Sequence, residues 1–303
     1  MINLPTPHLA KIRALLQNQR LPKSDRPRVE EALTRYERWI AEMGSVIAGR
    51  DDTVKKLVDS TNRYKRFIEL DLIFDSADDF LYRQKGQLKL DNTILEEFLP
   101  QLMHRALRLA KGSFEFGPQK TFAGISFMSG LGDPGAGGRA TLRTKDQDFV
   151  LGKRLFIKTS FEGDFKSAEC LEAHLGYVCA ECKTNLDKTM FQEAVATSRD
   201  LKIAVPSSLY FLVCEFLDMT PVSIASTHID DVFIVRKAKR MPSNVRQEYR
   251  TSEDRKAHRD AYAEFVDCFK YHPDVFQRMI DKIQTMVNET DPAADIVLTR
   301  GYF

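Results

Sequence analysis

No apolar run in the sequence approaches the roughly 18 residues that a membrane-spanning helix needs, which excludes an integral membrane protein of the helical kind. The opening residues, Met1-Ile2-Asn3-Leu4-Pro5-Thr6-Pro7, lack a basic stretch followed by an apolar one, so no secretory leader is expected and the cytoplasm is the expected location. Cysteine is scarce and odd in number: there are five. Cys179 and Cys182 have C-x-x-C spacing, but no second pair follows at zinc-finger distance, so free thiols in a reducing compartment are expected. The six histidines show no His-x-x-x-His spacing, which argues against a histidine-built metal site. A Gly-x-Ser-x-Gly elbow and a strand-linked Rossmann fingerprint are both missing. The glycine-rich segment Ser129-Gly130-Leu131-Gly132-Asp133-Pro134-Gly135-Ala136-Gly137-Gly138 is followed by no Gly-Lys-Ser/Thr, so it reads as a connection rather than a phosphate loop. Excess charge of one sign is missing too: 45 basic residues face 43 acidic ones. Global charge therefore announces no nucleic-acid partner, and any such partner must be held by a local groove.

What is present is globular. The 303 residues are 43% apolar and 29% charged, enough chain for one large or two ordinary domains. The first third reads as helices. Val29, Ala32, Leu33, Tyr36, Ile40 and Met43 recur at three and four, as do Val54, Leu57, Val58, Thr61, Tyr64, Phe67 and Ile68. A third helix is expected after Asp91 or Asn92, through Leu107, with Pro100 a point of kinking or breakage. The pattern changes near residue 112. Strands are expected at 148–151, 154–158, 177–183, 208–214 and 231–235, with a helix at about 186–202 between the third and fourth. Two further helices are expected after Ser252. The fold class is α/β in the broad, α+β sense: a mixed sheet flanked by helices.

The segment Tyr177–Ala194, YVCAECKTNLDKTMFQEA, is the informative one. Its apolar strand ends in Glu181-Cys182-Lys183. Alternation puts Glu181 and Lys183 on one side of the strand, about 6–7 Å apart. A carboxylate there binds a hard divalent cation, and an ammonium orients water or neutralises charge on a phosphate. Acid–x–Lys also occurs at Asp164–Lys166, Asp200–Lys202 and Asp254–Lys256, but only Glu181–Lys183 ends a buried strand and leads into a helix. One acid holds magnesium poorly, so a partner is required. Asp148, which opens the strand Asp-Phe-Val-Leu, is preferred to Asp146, Asp164, Glu169 or Glu172.

Asp–x(n)–Glu–x–Lys on a sheet, followed by a helix, resembles the PD-(D/E)xK nuclease superfamily. Lys145-Asp146-Gln147-Asp148-Phe149 together with Ala180–Ala194 is similar to type II restriction endonucleases of the BbvCI-like group, over about residues 90–240. The resemblance implies a restriction-endonuclease-like core at 111–245, a helical N-terminal region at 1–110 that contacts DNA or dimerises, and C-terminal helices at 246–303 packed on the core. It implies Mg²⁺-dependent, sequence-specific hydrolysis of double-stranded DNA that leaves 5′-phosphates. Asp148 and Glu181 become the metal carboxylates and Lys183 the catalytic lysine. Glu97, or its neighbour Glu96, takes the place of a further acid from a preceding helix. Gln192 contacts the scissile phosphate or orients Lys183. Gln147 stands where the family's proline often precedes the aspartate, a departure that bears on the choice of Asp148. Cutting both strands implies a homodimer, or a heterodimer with a related second subunit. Phosphate contacts are expected from Arg139, Arg143, Lys145, Lys188, Arg236 and Lys237, with Arg246 and Arg250 in the same basic stretch.

Overall fold

A computed structural model describes residues 4–109, 114–288 and 294–301. The change of pattern near residue 112 falls outside the described residues. Helices fill the first third: α1 (Pro7–Gln17), α2 (Arg26–Ser45), α3 (Thr53–Arg66), α4 (Phe80–Leu88) and α5 (Asn92–Ala106). Helix α2 buries Val29, Ala32, Tyr36, Trp39 and Met43, the expected stripe. Helix α3 runs on past its expected end as a π-helical segment, Phe67–Phe74, in which six of eight side chains are buried. Helix α5 stays helical through Pro100, although Pro100 has no N–H for the Glu96 carbonyl.

Five strands follow: β1 (Glu115–Phe127), β2 (Ala140–Thr159), β3 (Glu169–Leu186), β4 (Leu209–Leu217) and β5 (Asp231–Lys239), with α6 (Lys188–Ala204) between β3 and β4. They form one sheet in the order β1-β2-β3-β4-β5. The pairs β1–β2 and β2–β3 are antiparallel; β3–β4 and β4–β5 are parallel, with α6 as the crossover. The chain closes with α7 (Ser243–Gln247), α8 (Ser252–Ala257), α9 (Arg259–Cys268), α10 (Pro273–Asn288) and α11 (Ala294–Arg300). One apolar cluster joins the N-terminal helices and α10 to the sheet face carrying Phe149, Val178, Phe211 and Phe233. A second, smaller cluster packs Ala194 and Leu201 of α6 against Val150, Cys179, Tyr210 and Leu212 on the other face.

Two strands differ from expectation. The segments 148–151 and 154–158 are one 20-residue strand, β2. Gly152, where the β2–β3 register shifts, makes it read as two. Strand β1 is not anticipated at all, because Gly117, Pro118 and Gly124 dilute its pattern and the ladder is bulged beside them. Extended flat, β2 would span over about 60 Å, yet its ends meet. The Ala140 N–H donates to Glu169 Oε2 at 3.0 Å, and Glu169 pairs with Thr159. The corner is made by Gly152 and Gly176, which the ladder pairs. A Cβ on Gly152 would collide with the Leu175 carbonyl, and one on Gly176 with Cys179 Sγ.

Candidate active site

The site lies where the sheet forks. The β2–β3 ladder ends at the pair Phe149–Ala180. Beyond it β2 stays with β1, while β3 continues against β4. The fork leaves backbone groups between the parting strands without their ladder partner, and Asp148 fills the gap: its Oδ2 accepts from the Cys182 N–H at 2.8 Å. Asp148 is half-buried whereas Asp146 is exposed.

Glu181 and Lys183 sit on one side of β3. Lys183 Nζ is 3.3 Å from Glu181 Oε2, and Tyr210 on β4 donates its hydroxyl to Glu181 Oε1 at 2.6 Å. That pair orients the Glu181 carboxylate. Burial pushes the Asp148 carboxyl above its ordinary value, against the opposing pull of the Cys182 N–H and Lys183; the Glu181 charge adds to the rise. Burial pulls the Lys183 ammonium down, but Glu181 and Asp148 outweigh it and hold it above its usual range. Tyr210 is raised by burial and by Glu181.

The further acid that faces this group is Glu96. Burial raises its carboxyl, and the Asp148 charge raises it more. Glu97 does not join the cluster. Its side chain is fully buried in the opposite direction. It accepts from the His8 N–H at 2.8 Å, the Leu9 N–H at 3.3 Å and the Tyr36 hydroxyl at 2.5 Å. Those bonds fasten α1 and α2 to α5. Two carboxylates and one lysine in this fork, with Glu96 close enough to feel the Asp148 charge, fit a hard divalent cation, which takes oxygen ligands. Among the described residues no three acidic, histidine or cysteine side chains form a ready-made cage. Magnesium does not need one, because it binds through one or two carboxylates and completes its shell with water and substrate phosphate.

Other expected residues lie apart. Gln192 is exposed on α6, and its side chain makes no hydrogen bond among the described residues. Arg236 is not a surface cation: it is 2% exposed and bonded to Glu69 and Glu215. Lys237 pairs with Asp274, Arg139 with Asp133, and Lys145 with Asp200 at 3.0 Å. Arg143 donates to the Ala123 carbonyl at 2.9 Å. Lys188 is exposed at the start of α6. Tyr210 went unread in the sequence; the only signal was a tyrosine at a buried position of an apolar strand.

The model of the Bpu10I restriction endonuclease family matches residues 87–303. Among solved structures, the chain is similar to the native BbvCI A2B2 tetramer, with 17% identity and a TM-score of 0.57 over 88% of this chain and 98% of that one. No curated protein matches the sequence. The family model spans both strands of the fork, α5 with Glu96 and everything after them, so the chain belongs to the Bpu10I restriction endonuclease family, a type II site-specific deoxyribonuclease.

Proposed function

We propose that the chain hydrolyses phosphodiester bonds of double-stranded DNA at a defined sequence in the cytoplasm, with Mg²⁺ bound at the fork, leaving 5′-phosphates. The observation that carries this reading is the fork itself, where Asp148 and the Glu181–Lys183 pair meet. A bound divalent cation polarises the phosphoryl oxygen and eases deprotonation of water. The chain's own residues do the rest. Asp148 and Glu181 offer carboxylate oxygens to the cation, and Tyr210 keeps Glu181 turned towards it. Lys183 keeps its proton at neutral pH, because the two carboxylates hold its ammonium above the ordinary value. As an ammonium it is a positive charge beside the phosphate and steadies the charge that develops there. Glu96 supplies a third acid to the same space.

One fork cuts one strand. Two are needed for a double-strand break, so the working form is an assembly with a second copy or a related subunit. The A2B2 arrangement named for the BbvCI structure supports that reading. The test is plasmid cleavage with Mg²⁺, with Ca²⁺ and with EDTA, alone and with a candidate second subunit. Discrete fragments in Mg²⁺ and intact plasmid in EDTA are the expected result. Fragments that persist in EDTA, or at positions unrelated to sequence, would overturn it.

A further inference from the structure

The strands that carry the fork run on past it as an arm. Beyond the corner at Gly152 and Gly176, β2 and β3 continue to Thr159 and Glu169, and β1 runs beside the opening residues of β2 to Phe127. The two hairpin tips meet. A Cβ on Gly137 would collide with Thr159 at 2.6 Å, and one on Gly138 would stand 3.0 Å from the Phe127 ring and 3.7 Å from that of Phe161. The outside of this arm is apolar. Phe127, Met128, Leu131, Phe156, Phe161 and Phe165 are each half or more exposed, and most of the large apolar side chains exposed among the described residues lie between positions 125 and 165.

Local bonds hold that exposure in place. The turn after β2 is closed by the Phe165 N–H, which donates to the Glu162 carbonyl at 3.1 Å, while Ser160 Oγ accepts from the Glu162 N–H at 3.0 Å. Phe165 there takes a left-handed φ of 55°, a conformation that a bulky side chain adopts only where its surroundings impose it. A protein that works as a single copy rarely shows more than a few hundred Å² of contiguous apolar surface. At about 150–250 Å² per aromatic side chain, the four phenylalanines alone leave on the order of 500 Å² in water. That is a large share of the roughly 800 Å² that each partner buries in a standard interface.

Charge decides the kind of partner. DNA is held by lysines and arginines that neutralise its phosphates, whereas the charges of the two tips balance. Residues 125–139 hold one acid and one base, Asp133 and Arg139, paired with each other. Residues 153–172 hold four of each. Lys166 pairs with Asp164 at 2.8 Å, and Arg154 with Glu115 at 3.2 Å. A neutral apolar surface meets a copy of itself with no excess of like charge, and a two-fold interface requires that, because the same patch stands on both sides.

We propose that the arm is a docking surface for the arm of a second copy of this chain. The inference rests on the nuclease reading above, which needs a second fork in the assembly. Strands β2 and β3 carry both the fork residues Asp148 and Glu181 and the arm, so joined arms fix the two forks relative to each other.

The test is sedimentation velocity at micromolar concentration for wild type, Phe156→Asp, Phe161→Asp, the milder Phe156→Ser/Phe161→Ser double variant, and Ile47→Asp, which changes an exposed apolar residue between α2 and α3, outside the arm. Wild type and Ile47→Asp are expected at twice the chain mass. The arm variants are expected at the single-chain mass with unchanged circular dichroism. Wild type at the single-chain mass, or folded arm variants at twice that mass, would overturn the proposal. So would wild type that associates only when a related subunit is added, or single-chain wild type whose arm variants lose affinity for duplex DNA. Plasmid cleavage in Mg²⁺ separates the two readings. Single-chain wild type that still cuts would overturn the arm assignment alone. Two-chain wild type that cuts no DNA would uphold the arm and overturn the nuclease reading.

Discussion

The sheet carries two charged clusters that differ in one respect. On β4 and β5, Glu215 and Arg236 join Lys65 and Glu69 in a square of two acids and two bases, with Lys65–Glu215 and Arg236–Glu215 both at 2.8 Å. Tyr271 adds its hydroxyl to Glu215 at 2.8 Å, and Lys65 and Arg236 also donate to the carbonyls of Asp91 and Phe269. Every charge there is answered from within. At the fork, the three acids Asp148, Glu181 and Glu96 have among the described residues a single ion pair, Lys183 with Glu181, and the other cations that act on them, Lys89 and Lys11, stand beyond ion-pair distance. A balanced network is complete as it stands and belongs to the scaffold. An unbalanced one of the same residue types is complete only when something positive joins it.

Breaking each cluster should therefore do different things. Glu181→Gln keeps an acceptor for Tyr210 and removes one negative charge; cleavage should fall by about 1000-fold or more, some 4 kcal/mol of barrier, with the denaturant midpoint unchanged. Arg236→Met leaves the buried Glu69 and Glu215 with Lys65 as their one shared cation and should cost about 3–5 kcal/mol of unfolding free energy, read in urea. The adjacent pair Glu96 and Glu97 gives the sharpest contrast. Glu97→Ala strands the His8 and Leu9 amides and the Tyr36 hydroxyl and should cost about 1–3 kcal/mol while the folded fraction still cleaves; Glu96→Gln should slow cleavage by tenfold or more at unchanged stability. Equal effects of the two on cleavage would erase the distinction.

A more gradual effect concerns pH. His8 is buried, and burial together with the Lys65 charge lowers its imidazole from 6.5 to about 3. Its ring bonds Tyr64 at 2.7 Å and Thr93 at 3.1 Å. The folded value lies below the unfolded one, so the stability it contributes is present above pH 6.5 and is lost as pH falls towards 3. The slope should approach about 1.4 kcal/mol per pH unit, and His8→Asn should flatten it relative to wild type.

Residues that announce their surroundings were legible. Glu181–Cys182–Lys183 was readable because an apolar strand ends there, and Asp148 because a strand opens with it. The choice between Glu96 and Glu97 was not readable. Adjacent helical residues point in different directions, and which is buried depends on amides of α1 some 90 positions away. Arg236 was read as a phosphate contact and is instead buried, for a local reason. The β4–β5 register shifts after Cys214–Ile234, and Lys237 takes a left-handed φ of 50°; that bulge turns Arg236 inward beside the exposed Lys237. Three of the five expected strands fall on β3, β4 and β5, the other two are parts of the single strand β2, and β1 was missed.

The parallel pairing of β3 with β4 also governs timing. Hairpins such as β1–β2–β3 join neighbours in sequence and can form as soon as they are made, but a parallel partner arrives only after its crossover. Tyr210, which fixes Glu181, lies on β4 beyond α6, and the α5 that carries Glu96 is held against the sheet by a core that includes α10. A ribosome that releases this chain from its N-terminus therefore exposes every acid of the fork well before it exposes the parts that set them in place. The fork is set in place only once β4 and α10 have been made, although Glu96, Asp148 and Glu181 all precede them in the chain.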